Sequence, residues 1–202
     1  MWKPVTADAP PLILASASAI RAQILTQAGL QFAVIPSGID EAELKARKWD
    51  SPEALALALA EAKAAAIDAP AAACVIAADQ LLVCDDTLYS KPADLDALRA
   101  QLRDLRGRTH ALVGGTVLFI DGAPVWTHQS RATLTMRDFS DAFLDDYIAQ
   151  HGNDALASVG GYRLEGAGIQ LFDNIEGDHF AMLGLPLVPL LGALRRARVL
   201  TS

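Results

Sequence analysis

Cysteine is scarce in this 202-residue chain: there are two, Cys74 and Cys84, and neither belongs to a C-x-x-C pair. Two isolated thiols cannot cage a metal by themselves and leave no disulfide framework to read. Their apolar neighbours point to reduced residues in or near strands, as in a cytosolic protein. Basic residues are outnumbered, 17 Lys and Arg against 24 Asp and Glu, for a net charge of −7. That balance argues against a broad electrostatic grip on nucleic acid or on an anionic membrane. Aromatics make up only 6% of the residues and no basic stripe interleaves with them, so a nucleic-acid-binding module is disfavoured. Long apolar runs are missing too. The most apolar window, residues 182–194, is short and is cut by Pro186 and Pro189, so no membrane span is expected. Residues 1–11 lack the basic flank and continuous apolar core of a secretion signal, and residues 1–10 are expected to form a loose N-terminal tail. There is no G-x-x-x-x-G-K-[ST] loop, which argues against a P-loop enzyme. No H-E-x-x-H or similar spacing links His110, His128, His151 and His179, so zinc ligation has no support. No internal repeat and no Pro/Ser/Gly linker divides the chain, and a single domain over 1–202 is expected.

What is present is globular: 52% apolar and 20% charged residues. Residues 12–15 form a short apolar run, read as a buried strand, that ends in Ser16-Ala17-Ser18 where a helical pattern begins. Ile20, Ile24, Leu25 and Ala28 share one face of that helix, Ser18 stands at its N-cap and Gly29 follows its end. A second strand is expected over 32–36, then a loop carrying Asp40 and Glu41. Ser51-Pro52-Glu53 starts a helix with a cap, a proline at the first position and an acid in the first turn; it carries Lys63 and stops near Asp68. A third strand, 74–78, is expected to end at Asp79-Gln80, with the apolar residues 81–83 beyond that pair allowing a bent continuation. A helix follows Lys91-Pro92, with Leu95, Leu98, Leu102 and Leu105 on its buried face. Asp121-Gly122 joins two extended runs as a tight hairpin, and Ser140 caps another helix. Residues 160–168 are glycine-rich and irregular or strand-like, and a last helix starts near Pro186. Early strand–helix alternation followed by a long hairpin predicts an α/β fold with a mixed sheet flanked by helices.

Chemistry concentrates at a few points. Ligands of open α/β sheets bind beyond the carboxyl ends of strands, and a helix N-terminus offers free N–H groups and partial positive charge to an anion. Ser16, Ser18 and Arg21 at such a junction point to phosphate. Asp79, held by a strand, can bind a divalent cation or take a proton from water. Glu41 adds a second acid, and Lys63 and Lys91 the cations. Hydroxyls, arginine, lysines and acids are together what hydrolysis of a phosphoanhydride requires.

The residues also resemble a known family. Ser16-Ala17-Ser18-Ala19-Ile20-Arg21 is similar to the S-x-S-P-R-R signature of Maf proteins, nucleoside triphosphate pyrophosphatases also described as septum formation inhibitors. Asp40-Glu41, Ala60-Glu61-Ala62-Lys63-Ala64, Ala78-Asp79-Gln80, Ser90-Lys91-Pro92, Gly107-x-x-His110, Gly161-Tyr162 and Gly184-Leu185-Pro186 match further family segments in order and spacing. The resemblance implies two lobes with a central cleft and a homodimer. It implies cleavage of a nucleoside triphosphate between its α and β phosphates, dependent on Mg2+ or Mn2+. Asp79 would accept the proton, Glu41 and Asp79 would hold metal, and Ser16, Ser18, Arg21, Lys63 and Lys91 would surround the triphosphate.

Ala19 and Ile20 depart from the signature's proline and arginine. The branch acting on dTTP and UTP carries Arg, Thr and Gln where this chain has Ile20, Gln80 and Glu165; the 7-methyl-GTP branch carries Trp, Gln and Glu. Two of three positions favour 7-methyl-GTP or another non-standard purine nucleotide. Ile20 lacks the aromatic ring that would stack on such a base. A different class of function, a non-catalytic nucleotide-responsive regulator of cell division, is favoured by Ala19 and Ile20 and opposed by Asp79, Lys63 and Lys91.

Overall fold

The computed structural model describes residues 10–201, so the expected tail lies outside the described residues but for Pro10. Among the described residues, seven strands are β1 (Leu12–Leu14), β2 (Ala33–Val34), β3 (Cys74–Cys84), β4 (Thr87–Tyr89), β5 (Thr109–Ile120), β6 (Ala123–Met136) and β7 (Phe172–Glu176). The helices are α1 (Ala19–Gln27), α2 (Ala42–Ala46), α3 (Pro52–Ala65), α4 (Leu95–Leu105), α5 (Asp141–Ala155), α6 (His179–Met182) and α7 (Leu187–Arg196). The strands form a mixed sheet in the order β2-β1-β3-β5-β6-β7, with β4 paired to β3. The α/β class expected from the alternation is the one observed. Among the described residues, no helix is long and apolar enough to cross a membrane.

The chain divides into two compact units. The first comprises the described residues up to Asp79, Gly114–Ser130 and the described residues from His179 on; the second comprises Gln80–Val113 and Arg131–Asp178.

In the first unit β1 pairs in parallel with β2 and with β3, Leu12 opposite Cys74 and Leu14 opposite Ile76. Strand residues alternate between faces, and here both faces are covered, which is why β1 and the start of β3 read as unbroken apolar runs. Leu12, Leu14, Cys74, Ile76 and Ala78 pack with Ile24 and Leu25 of α1 and Leu187, Leu190 and Leu194 of α7. Ile13, Ala15, Val75 and Ala77 face the other way, onto Ala60 and Ala64 of α3. Burying each of these Leu or Ile side chains contributes roughly 1.5–3 kcal/mol. The start of α3 is as predicted: Ser51 Oγ accepts from Ala54 N at 3.1 Å and Pro52 occupies the first turn. This helix lies close on the sheet because its contact residues are alanines and β5 offers Gly115. A Cβ there would come within 2.4 Å of the Ala56 carbonyl carbon. Asp121 and Gly122, at φ 50° and 75°, make the tight turn between β5 and β6.

In the second unit β4 pairs antiparallel with the end of β3, and β7 with the end of β6. Ser140 Oγ caps α5, accepting from Phe143 N at 3.2 Å, and Asp94 caps α4. Leu98, Leu102 and Leu105 are buried as expected, whereas Leu95 is exposed on the first turn of α4. His110 of β5 is buried and meets the Tyr162 hydroxyl at 2.7 Å.

One expectation is corrected. β3 does not end at Asp79-Gln80; it continues as one strand to Cys84, because Leu81–Cys84 are themselves buried and Leu82–Cys84 pair with β4. Residues 160–168 are irregular, one of the two readings their glycines allowed, and lead into a short 3-10 helix, Ala167–Leu171; the strand that follows, β7, was not foreseen.

Candidate functional site

The first unit assembles most of the singled-out residues at the end of β1 and the middle of β3. Alternation along β3 places Asp79 on the same side as Val75 and Ala77, the side covered by α3. Lys63 stands three residues after Ala60, on the helix face that touches that side. The two side chains therefore meet, Lys63 Nζ donating to Asp79 Oδ1. Lys63 also reaches Glu41 Oε1 at 2.7 Å. Asp79 is 8% exposed as a residue, so this ion pair is largely withdrawn from water.

Glu41 opens α2, and its second oxygen, Oε2, lies 2.6 Å from Lys45 Nζ, one helical turn on. Burial pushes the Glu41 carboxyl up, but hydrogen bonds from Lys45 and Lys63, and their charges, outweigh it and hold the pKa at about 2. Four charges of alternating sign, Lys45, Glu41, Lys63 and Asp79, thus form one chain. Asp40, the other acid of the loop, turns away and accepts from Ala42 N at 2.9 Å. Lys45 was not singled out by sequence. Its only signal was the i,i+4 spacing from Glu41, which has meaning once residues 42–46 are helical.

Ser16 is buried after β1. Its Oγ accepts from Ser18 N at 3.2 Å and from Arg21 Nη1 at 3.1 Å. Ser18 occupies the N-cap of α1, yet its hydroxyl makes no capping hydrogen bond. The helix start therefore keeps N–H groups and a hydroxyl for an anion. Arg21 Nη1 also donates to Ala78 O at 2.8 Å, and Nε to Gly184 O at 2.9 Å. One guanidinium thus fixes the loop after β1, the residue before Asp79 and the turn before α7. Burial lowers the pKa of Arg21, against the opposing pull of Asp79 and Glu41. Ile20 packs against the apolar core with α1 and α7.

Gln80, Lys91 and Glu165 belong to the second unit. Gln80 continues β3 and is partly buried, and Lys91 is exposed just beyond β4. Glu165 Oε1 accepts from Arg163 Nε at 2.9 Å. The pair lines a pocket of about 260 Å3 with Tyr147, His151, Asp154 and residues 166–168.

Among the described residues, no cluster of three or more His, Cys, Asp or Glu side chains is placed to hold a metal by itself. Glu41 and Asp79 nonetheless converge on one cation, the Lys63 ammonium. Two carboxylates whose remaining partners are water and phosphate are the donor set Mg2+ ordinarily takes. The residues present fit such an ion.

Comparison with known proteins gives a family match for "Maf-like protein" over residues 11–197. A nucleoside triphosphate pyrophosphatase from Granulibacter bethesdensis is 48% identical, over 94% of this chain and 98% of that protein. A 7-methyl-GTP pyrophosphatase from Brucella abortus is 44% identical, over 93% and 96%. Another 7-methyl-GTP pyrophosphatase, from Mesorhizobium japonicum, is 46% identical, over 91% and 94%.

Proposed function

The chain belongs to the Maf-like protein family, and from that premise we propose that it hydrolyses a nucleoside triphosphate at the α–β phosphoanhydride, giving the monophosphate and pyrophosphate. The observation that carries this reading is the Asp79–Lys63–Glu41 cluster standing beside the Ser16–Arg21 loop within one compact unit.

Asp79 is the proton acceptor. It takes a proton from water as the water oxygen bonds to the α-phosphorus, while the bond from that phosphorus to the bridging oxygen breaks and the electron pair leaves with pyrophosphate. Lys63 neutralises phosphate oxygens from a fixed position, since α3 carries it and Asp79 of β3 pairs with it. Ser18 and the first N–H groups of α1 bind a phosphate, and Arg21 keeps that loop in place through Ser16 and two carbonyls. A divalent cation, Mg2+ or Mn2+, held by Glu41 and Asp79 would supply further neutralisation of the triphosphate. Lys91 as a phosphate ligand, and Ile20, Gln80 and Glu165 as base selectors, are part of the same proposal, as are a homodimer and a cytoplasmic location. Glu165 can accept hydrogen bonds from a guanine edge and favours a cationic methylated base, which supports 7-methyl-GTP as substrate.

The test is pyrophosphate release from dTTP, UTP, CTP, GTP and 7-methyl-GTP with Mg2+ or Mn2+. Asp79→Asn should lower kcat by about 10^2 to 10^4-fold with nucleotide binding largely kept. Preferred release from 7-methyl-GTP supports the substrate assignment, and faster turnover of dTTP or UTP overturns it. If wild type and variant are equally inert on every nucleotide, the enzymatic reading fails.

A further inference from the structure

Lys45 is the one member of the four-charge chain to which no role has been given. Both Glu41 oxygens are occupied, Oε1 by Lys63 and Oε2 by Lys45. A cation that binds Glu41 competes with these two ammonium groups for its oxygens. They are not equally held. Lys63 sits on the fourteen-residue α3, its side chain is 13% exposed, and it is bound to Asp79 as well. Lys45 sits on the five-residue α2, which buries no residue, and its side chain is 36% exposed. Among the described residues, its side chain pairs with Glu41 alone. An ion pair at that exposure is weak and is easily exchanged for another anion. The position one turn beyond Glu41 lets the ammonium swing without any change in α3 or β3.

Building on the pyrophosphatase reading, we propose that Lys45 is a releasable counter-ion. It occupies Glu41 while the site is empty, yields that oxygen to the divalent cation, and transfers its charge to a phosphate oxygen of the incoming nucleotide. The cation replaces one ammonium at Glu41, and the triphosphate takes up the ammonium set free. Lys45 is then a competitor for the metal alone and a ligand for the phosphate.

These two roles predict effects of opposite sign from one substitution. In Lys45→Gln, Mn2+ binding to the nucleotide-free protein, followed by electron paramagnetic resonance of the free ion, should tighten by about threefold, the scale of one partly exposed ion pair. Pyrophosphate binding, followed by calorimetry, should weaken by on the order of tenfold, the scale of one charge-assisted hydrogen bond. KM for the nucleotide should rise with it while kcat changes little, and Lys45→Arg should restore phosphate binding. A lysine that merely props Glu41 in position would weaken Mn2+ and pyrophosphate binding together, and a surface charge would move neither; either result overturns the proposal. Wild-type protein that binds no Mn2+ overturns it as well. Turnover by wild type with unchanged Mn2+ and pyrophosphate affinities in Lys45→Gln removes the Lys45 role and leaves the pyrophosphatase reading standing. Release of pyrophosphate from no nucleotide removes that reading, and the Mn2+ titration still decides whether Lys45 competes with a cation.

Discussion

Arg21 is the residue whose geometry most constrains what a substitution can do. Its Nε and Nη1 donate to Gly184 O, Ala78 O and Ser16 Oγ, all three fixed by the backbone around them. A lysine ammonium is a point donor and cannot hold acceptors spread over a planar fork. Arg21→Lys should therefore leave buried acceptors unpaired and destabilise the chain by about 1–3 kcal/mol, measured by urea unfolding. KM for the nucleotide should rise as the Ser16–Ser18 loop loosens. A variant with full stability and a raised KM would show instead that the guanidinium acts on phosphate alone. Asp79, Ser16 and Arg21 stood out in the sequence because each breaks an otherwise apolar or capping pattern, whereas Lys63 stood out only beside the other charged groups and through the family resemblance of residues 60–64. Lys45 was not, since one lysine among Glu43, Lys45, Arg47 and Lys48 looks like any solvated charge.

Between elements, the contact that sets the site is α3 on the sheet, for it brings Lys63 to Asp79. Gly115 permits it: an added methyl would lie 2.4 Å from Ala56 C and from Leu57 N, both backbone atoms that cannot turn aside. Gly115→Ala should force α3 off the sheet, costing about 1–3 kcal/mol as overpacking does. It should also lower kcat, although residue 115 would touch no substrate. Unfolding midpoint and kcat measured on the same preparation check both, and an unchanged midpoint would mean that α3 is not seated as described. Elements carrying their own punctuation were legible: α3 from Ser51-Pro52-Glu53, α5 from Ser140, the hairpin from Asp121-Gly122. Those that exist through a partner were not. Strands β4 and β7 are short, largely exposed and of mixed polarity, and their strand character rests on pairing with β3 and β6. The apparent end of β3 at Asp79-Gln80 misled for the same reason, because pairing with β4 carries the strand past two polar residues.

At the scale of the whole molecule, the response to acid combines one group from each unit. His110, in the second unit, is pushed down to a pKa of about 4, by burial first and then by the Arg108 charge; its Nδ1 has no hydrogen-bond partner. An unfolded histidine titrates near 6.5, so between about pH 6.5 and 4 the unfolded chain binds the proton that the folded chain refuses. Stability must fall as pH falls through that window, by on the order of 3 kcal/mol. Glu41, in the first unit, is held at about 2, so its contribution is present above the ordinary carboxyl value of 4.5 and is lost between there and about 2. The two windows adjoin, and the full chain should lose stability almost continuously from neutrality downward. Urea unfolding across pH separates them. His110→Gln, which can still pair with the Tyr162 hydroxyl, should flatten the upper window and leave the lower one, and Glu41→Gln should do the reverse. Amide exchange gives the location: protection should fall first in β5 around residue 110 and in the 160–168 turns, and only at lower pH around α2 and α3. An upper window unchanged in His110→Gln would mean that acid sensitivity arises elsewhere than in the His110–Tyr162 pair.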